Sequence, residues 1–208
     1  MNFTFDGLDK NQQNVLKQLA KFTRERGYYL AGGTAVSIYL GHRKSVDLDW
    51  FTSGNMGDAH TFASQMQEKG IPFSIEQVSA GTLHGVVNGV RVSFLEFHYP
   101  FITPPLDLQP HNNLICSLHD LACMKLSALA QRGARKDFCD IYALGMKHFS
   151  LSEMLEFYRT KFGIRDIGHV LYGLSFFDDA EKERMPEMLW DIEWKGIKRT
   201  IQGWVKKL

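Results

Sequence analysis

Tyr29-Leu30-Ala31-Gly32-Gly33-Thr34-Ala35, followed by Gly41-His42-Arg43-Lys44-Ser45-Val46-Asp47-Leu48-Asp49, is the stretch on which the reading of this chain turns. Apolar Tyr29 and Leu30 suit the end of a strand and Thr34 onward has helical character, so the two glycines fall at a strand-to-helix turn. Glycine there lets backbone amides approach a polyphosphate without an obstructing Cβ, and a helix N-terminus favours an anion. In Asp47-Leu48-Asp49 the period of two along a strand puts both carboxylates on one face and Leu48 on the other. Hard divalent cations take such oxygen ligands. Singly, a Gly-Gly pair is an ordinary tight turn and two spaced aspartates an ordinary strand edge; in this order they read as one site for a metal-bound nucleotide.

Around this stretch the elements alternate. Val15, Leu16, Leu19, Ala20 and Phe22 follow a helical period within residues 11–26, which Gly27 ends. A strand at 28–31, a helix at 34–40 stopped by Gly41, and a strand at 46–52 follow. Asp58 is placed to cap a helix running to about Lys69. Residues 73–78, 82–87 and 89–97 read as successive strands, with Asn88-Gly89 a hairpin turn. Four of the chain's six prolines (Pro100, Pro104, Pro105 and Pro110) then mark a boundary. Downstream the pattern turns helical, with Ser117 and Asp120 as a capping box ahead of residues 118–131, then helices near 136–146, 151–162, 166–174 and 192–207. The division expected is residues 1–105 as an α/β core and 106–208 as a helical domain that completes the cleft.

The 208 residues, 44% hydrophobic and 12% aromatic, can build a sizeable core. With 24 basic and 23 acidic residues the net charge is +1, which excludes a global electrostatic pull on nucleic acid but not a local patch. Cys116, Cys123 and Cys139 are odd in number and lack zinc-site spacing, so they read as buried free thiols of a reducing compartment. The N-terminal Met1-Asn2-Phe3-Thr4-Phe5-Asp6 has the form of no secretory leader, and no run approaches a membrane span. A soluble cytoplasmic protein with no membrane partner is expected.

Lys125, Arg132, Lys136 and Asp140 are spaced by seven, four and four residues, so one continuous helix would gather them near one face. Cations there would neutralise charge on a leaving pyrophosphate, and Asp140 could orient a lysine or the sugar. Gly133 is placed to interrupt that helix. Lys136 and Asp140 also suit an ordinary i,i+4 surface pair. Arg43 fits either a nucleotide contact or a brace for its loop, and His42 a loop or phosphate contact.

These residues together, Leu30-Ala31-Gly32-Gly33-Thr34-Ala35, Gly41-His42-Arg43-x-Ser45-x-Asp47-Leu48-Asp49, Lys125-Leu126-x-Ala128 and Arg132-x-x-x-Lys136-Asp137-x-x-Asp140-Ile141-Tyr142, resemble the AbiEii/AbiGii toxin family of nucleotidyltransferase-fold proteins, which includes the MenT toxins. The resemblance runs from Tyr29 to about Leu144. It implies an α/β (α+β) fold, a nucleotidyltransferase-like mixed-sheet core with a C-terminal helical domain. It also implies magnesium- or manganese-dependent transfer of a nucleoside monophosphate from an NTP to an acceptor hydroxyl, in some relatives the 3′ end of a tRNA, and a toxin role countered by an antitoxin protein. Carried over by position, Gly32, Gly33 and Thr34 hold phosphates, Ser45 supports the triphosphate, Asp47 and Asp49 bind metal, and Lys125 and Asp140 match the family's later lysine and aspartate. Arg43, Arg132 and Lys136 join the expected nucleotide-binding set.

In one respect the chain departs from the fold's usual pattern. Where a third carboxylate is expected, on the strand Val90-Arg91-Val92-Ser93-Phe94-Leu95-Glu96-Phe97, Ser93 stands instead. Glu96, the strand's acidic residue, falls on the opposite face unless a bulge or the strand end turns it. Either Glu96 acts as a metal ligand in that way or the site works with two carboxylates, and a catalytically silent nucleotide- or partner-binding module is the alternative.

Overall fold

The computed structural model describes residues 3–208; Met1 and Asn2, part of the N-terminal stretch read above, lie outside the described residues. Helix α1 (Lys10–Glu25) starts at a full capping box, in which the Asp9 carboxylate takes the Gln12 amide and the Gln12 side chain takes the Asp9 amide. Strand β1 (Tyr29–Leu30) runs directly into α2 (Gly32–Leu40), and the chain returns antiparallel to β1 as β2 (Leu48–Thr52). After α3 (Ala59–Glu68), capped by Asp58, come β3 (Phe73–Ser79), β4 (Thr82–Val87) and β5 (Val90–Glu96). Both residues of the Asn88-Gly89 turn have positive φ, as a two-residue hairpin requires. It pairs Val87 with Val90.

The sheet continues past the prolines. Strands β6 (Leu106–Leu108) and β7 (Asn113–Ile115) form a small antiparallel pair, and β7 lies parallel to β1. The order is β3-β4-β5-β2-β1-β7-β6, a mixed seven-stranded sheet among the described residues. Residues 106–115 thus belong to the sheet and not to the helices that follow. No sequence alternation announces these three-residue strands, because they are too short to show a period.

Alternation along β2 and β5 divides the sheet's faces. Leu48 and Trp50 on β2, with Val92 and Phe94 on β5, are buried against α1 and α3, where Phe22, Tyr28, Phe62 and Phe94 pack edge to face. Trp50 and Phe94 are register partners, stacked with centroids 5.6 Å apart. The other face, carrying Asp49 and Ser93, is left for the site.

The helical half opens with α4 (Leu118–Arg132) and α5 (Arg135–Lys147), followed by α6 (Leu151–Phe162), α7 (Gly168–Ser175), α8 (Asp178–Lys182) and α9 (Trp194–Val205). Gly133, at φ 57°, closes α4 and separates it from α5, so the single helix through Lys125 and Asp140 is replaced by two. Ser117 caps α4 as expected, but Asp120 does not complete a capping box. Its carboxylate accepts from the Ser117 hydroxyl, from the amides of Ile102 and Thr103 at 3.1 Å each, and from Lys161 Nζ at 2.6 Å. Lys161 also donates to the Pro100 carbonyl. One buried ion pair therefore fastens the proline-rich crossover and α6 to α4. The three cysteines are buried and unpaired, and no helix of the described residues is long and apolar enough to cross a membrane.

Because Asp120 and Lys161 are both buried, Lys161→Met should leave an uncompensated charge and lower stability by about 3 to 5 kcal/mol. Urea denaturation measures it; a loss under about 1 kcal/mol would mean that the pair does not hold the two halves.

Candidate active site

A cleft of about 1080 Å³ lies between the open face of the sheet and helices α4 and α5. Gly32, Gly33, Arg43, Ser45, Asp47, Asp49, Lys125, Arg132 and Lys136 all line it, so one cavity gathers most of the residues singled out in the sequence. Thr34, Asp140 and Glu96 are not among its lining residues.

Helix α2 begins at Gly32, two residues earlier than its sequence suggests. Gly32 has φ +65°, and a Cβ there would lie 2.6 Å from Asp49 Oδ2; one on Gly33 would lie 2.3 Å from Arg43 Nη2. The glycines are thus demanded by the close approach of Asp49 and Arg43, as well as leaving the first amides of α2 open to the cleft. Thr34 is buried behind the wall, and its hydroxyl bonds the Ser45 hydroxyl at 2.7 Å and the Asp47 carbonyl. It braces the Gly41–Asp47 loop and does not line the cleft.

Asp47 precedes β2 and Asp49 lies within it. Burial raises the Asp49 carboxyl's pKa above its ordinary value, a hydrogen bond from Ser93 opposes the shift, and nearby Asp47 adds to it. Arg91 Nη2 is 2.8 Å from Asp47 Oδ1, an ion pair without hydrogen-bond alignment, so this buried oxygen lacks a donor. A carboxylate raised by desolvation beside an oxygen without a donor fits a hard cation. Among the described residues no three His, Cys, Asp or Glu side chains converge as a ready-made cage.

Glu96 does not join them. The β2–β5 register runs from Leu48–Val92 to Thr52–Glu96 without a shift, so no bulge turns Glu96 toward the cleft. Its carboxylate instead accepts from the Met56 amide at 2.7 Å and meets His98 Nε2 at 3.2 Å. Its expected role as a metal ligand is corrected on this ground. A register shift lies in β3 against β4, between Ile75 and Gln77, and Glu76 there lines the cleft at the outer edge. Ser93 sits opposite Asp49, and its hydroxyl is 3.0 Å from His84 Nδ1 on β4.

On the helical side, Asp140 is wholly buried and accepts Arg43 Nε at 2.7 Å, Arg43 Nη2 at 2.9 Å and His42 Nε2 at 2.7 Å, with Lys125 Nζ ion-paired to it at 2.6 Å. Burial alone would raise this carboxyl; the charges of Arg43 and Lys125 and the His42 hydrogen bond reverse that and hold it well below the usual carboxylate range. Lys125 Nζ also reaches Asp137 Oδ1 at 3.1 Å, and Arg132 holds Asp137 with two bonds, at 2.7 and 2.9 Å. Arg43 is the brace of its loop, and Asp140 is no surface partner of exposed Lys136. The lysine that faces the cleft is therefore fixed by two aspartates from α5.

Sequence reasoning missed Asp137, His84, Glu76 and the segment 183–192. Asp137 stood inside the quoted motif. His84 was within reach, because counting back from the two-residue Asn88-Gly89 turn puts it opposite Ser93. The segment carries no periodic signal, yet it straps the Gly41–Asp47 loop: Lys44 N donates to the Glu187 carbonyl, and the amides of Leu189 and Trp190 donate to the His42 carbonyl. Pro186 and Glu187 close that end of the cleft.

Comparison with known proteins places this geometry. Structures sharing the fold include MenT4, the nucleotidyltransferase toxin Rv2826c of Mycobacterium tuberculosis H37Rv, at TM-score 0.59 and 12% identity over 94% of this chain and 83% of that one. JHP933 of Helicobacter pylori superposes at TM-score 0.54 with 16% identity, covering 96% of this chain and 90% of its own. The antibiotic-resistance factor ANT(2'')-Ia matches 75% of this chain and 95% of its own at TM-score 0.56 and 11% identity. An uncharacterized protein of Aquifex aeolicus (strain VF5), aq_aa25, is 32% identical over 204 residues, 96% of this chain and 97% of the relative. Residues 90–203, from β5 through most of α9, match the family described as "Nucleotidyl transferase AbiEii toxin, Type IV TA system". With the fold, the cleft and this match in agreement, the chain belongs to the AbiEii family of nucleotidyltransferase toxins.

Proposed function

We propose that the cleft binds an NTP with magnesium or manganese and transfers its nucleoside monophosphate to an acceptor hydroxyl, releasing pyrophosphate. The observation that carries the reading is the pairing of walls: Asp47 and Asp49 beneath the first turn of α2 on the sheet side, Lys125 on the helical side. Asp47 and Asp49 would hold the metal, which when bound supplies Lewis-acid polarisation of the phosphate. The amides of Gly32 and Gly33 with the Ser45 hydroxyl cradle phosphate oxygens. Lys125 donates to Asp137 and is ion-paired with Asp140, and its ammonium keeps donor capacity for the departing pyrophosphate. Arg132 and Lys136 extend the cationic wall toward solvent, where the acceptor enters. The acceptor is an RNA 3′ hydroxyl, that of a tRNA included, and the toxin role calls for an antitoxin protein that restrains the activity. The two domains of the reading are the core that carries the carboxylates and the helical part that carries Lys125.

Asp47→Asn should abolish label transfer from radiolabelled NTPs to total RNA while leaving thermal stability nearly unchanged, since the side chain is partly exposed and its partner Arg91 is largely so. Undiminished transfer would remove the metal assignment.

Lys125 is held through Asp140, so Asp140→Asn should both weaken NTP binding and destabilise the fold at pH 7 by about 3 kcal/mol or more. The folded carboxyl lies below its ordinary value, so its contribution is complete above the unfolded pKa of about 3.9 and is lost as pH falls through the folded one. The gap between parent and variant in urea should therefore be constant from pH 7 to 5 and narrow only below about pH 4. A gap that keeps the same size at pH 3 would count against a charged Asp140.

A further inference from the structure

An attacking hydroxyl must lose a proton, and the cleft offers few groups that can take it. Asp47 and Asp49 are committed to the metal in the reading above, Asp9 caps α1 through the Gln12 amide, Glu187 is tied to Lys44, and Glu76 sits at the exposed outer edge of the sheet. Arg91, Lys125, Arg132 and Lys136 are cations. His84 remains. It is half-buried, lines the cleft, and stands in a cross-strand row, Gln77–His84–Ser93–Asp49, that register pairs across β3, β4, β5 and β2.

Register gives this row a direction. A carboxylate only accepts, so a Ser93 hydroxyl that turns its single proton toward Asp49, its register partner, is left to accept from the ring. The contact of 3.0 Å between Ser93 Oγ and His84 Nδ1 then requires the ring to donate, so Nδ1 carries the proton of the neutral imidazole. Nε2 is left with its lone pair. Neighbouring strands are spaced by about 4.8 Å, so a hydroxyl seated over Ser93 lies between Asp49 and that nitrogen.

We propose that His84, oriented by Ser93, is the proton acceptor for the attacking hydroxyl, through Nε2. The inference rests on the nucleotidyl-transfer reading above. The acceptor oxygen forms its bond to the α-phosphorus, the bond from that phosphorus to the pyrophosphate oxygen breaks with its electron pair leaving on pyrophosphate, and the hydroxyl proton passes to Nε2. The imidazolium formed returns its proton to solvent. Glu76 on β3 and Asp49 on β2 favour that cation, whereas Arg91 on β5 and Lys125, Arg132 and Lys136 across the cleft oppose it. Ser93 is a positioning residue, because it acts by fixing the ring and its tautomer.

The test has two arms. In the metal-free protein, long-range proton–nitrogen spectra of labelled histidine should find His84 protonated at Nδ1, and Ser93→Ala should shift it toward the Nε2-protonated form while Ser93→Thr preserves it. In transfer assays His84→Gln should lower the rate on the order of 100-fold or more with unchanged NTP affinity. An Nε2-protonated ring in the parent would overturn the proposal, as would His84→Gln matching the parent in rate while Asp47→Asn is inactive. Either result leaves the nucleotidyl-transfer reading standing. Full transfer by Asp47→Asn would instead remove that reading and this inference with it.

Discussion

A carboxylate with no exposed surface stays charged only if cations and donors reach both of its oxygens, and Asp140 meets that condition with Arg43, His42 and Lys125. The donors come from different parts of the chain. Arg43 and His42 belong to the loop between α2 and β2, and Lys125 to α4 in the helical half. One buried charge thus joins the loop beside the carboxylate pair to the helix that faces it. Asp120 does the same kind of work farther from the site, fastening the crossover and α6 to α4 through Lys161. These ionic contacts fix geometry more than they add net stability, because desolvation offsets much of the attraction.

The glycines were legible in the sequence, but their reason was only half so. A Gly-Gly pair before a helix reads as a phosphate approach, and α2 does begin there with free amides. What makes Cβ atoms intolerable is also intramolecular: Asp49 Oδ2 fills the space at Gly32 and Arg43 Nη2 that at Gly33. Sequence period placed Asp47 and Asp49 together on one wall, and both line the cleft. It placed Lys125 and Asp140 on one helix, whereas they meet across two. Gly133 ends the first helix, and the turn brings Asp137 and Asp140 back onto Lys125.

The less legible parts were those without a period. Strands of three residues, the short α8 and the strap at residues 183–192 take their form from partners distant in sequence, and nothing local announces them. Glu96 and His84 differ from these. Both follow from strand alternation and a two-residue hairpin, provided that the register is counted through to the neighbouring strand. Alternation correctly sets Glu96 on the far face, and the hairpin sets His84 beside Ser93. Where a carboxylate was expected, the row therefore holds a hydroxyl backed by an imidazole.

The strap gives the cleft a third wall with a mechanical consequence. His42 offers its carbonyl to Leu189 and Trp190 and its ring to Asp140, so the same residue is held from outside by the C-terminal segment and from inside by the buried charge. Lys44 is held by Glu187 through both backbone and side chain. A loop clamped on both sides leaves Ser45 and Asp47 little freedom, and the Thr34 hydroxyl removes more by bonding Ser45 and the Asp47 backbone. Preorganised groups act on developing charge without the cost of reorganisation. The helical half therefore does more than cover the sheet: by gripping the loop and presenting Lys125 it sets both sides of the cleft.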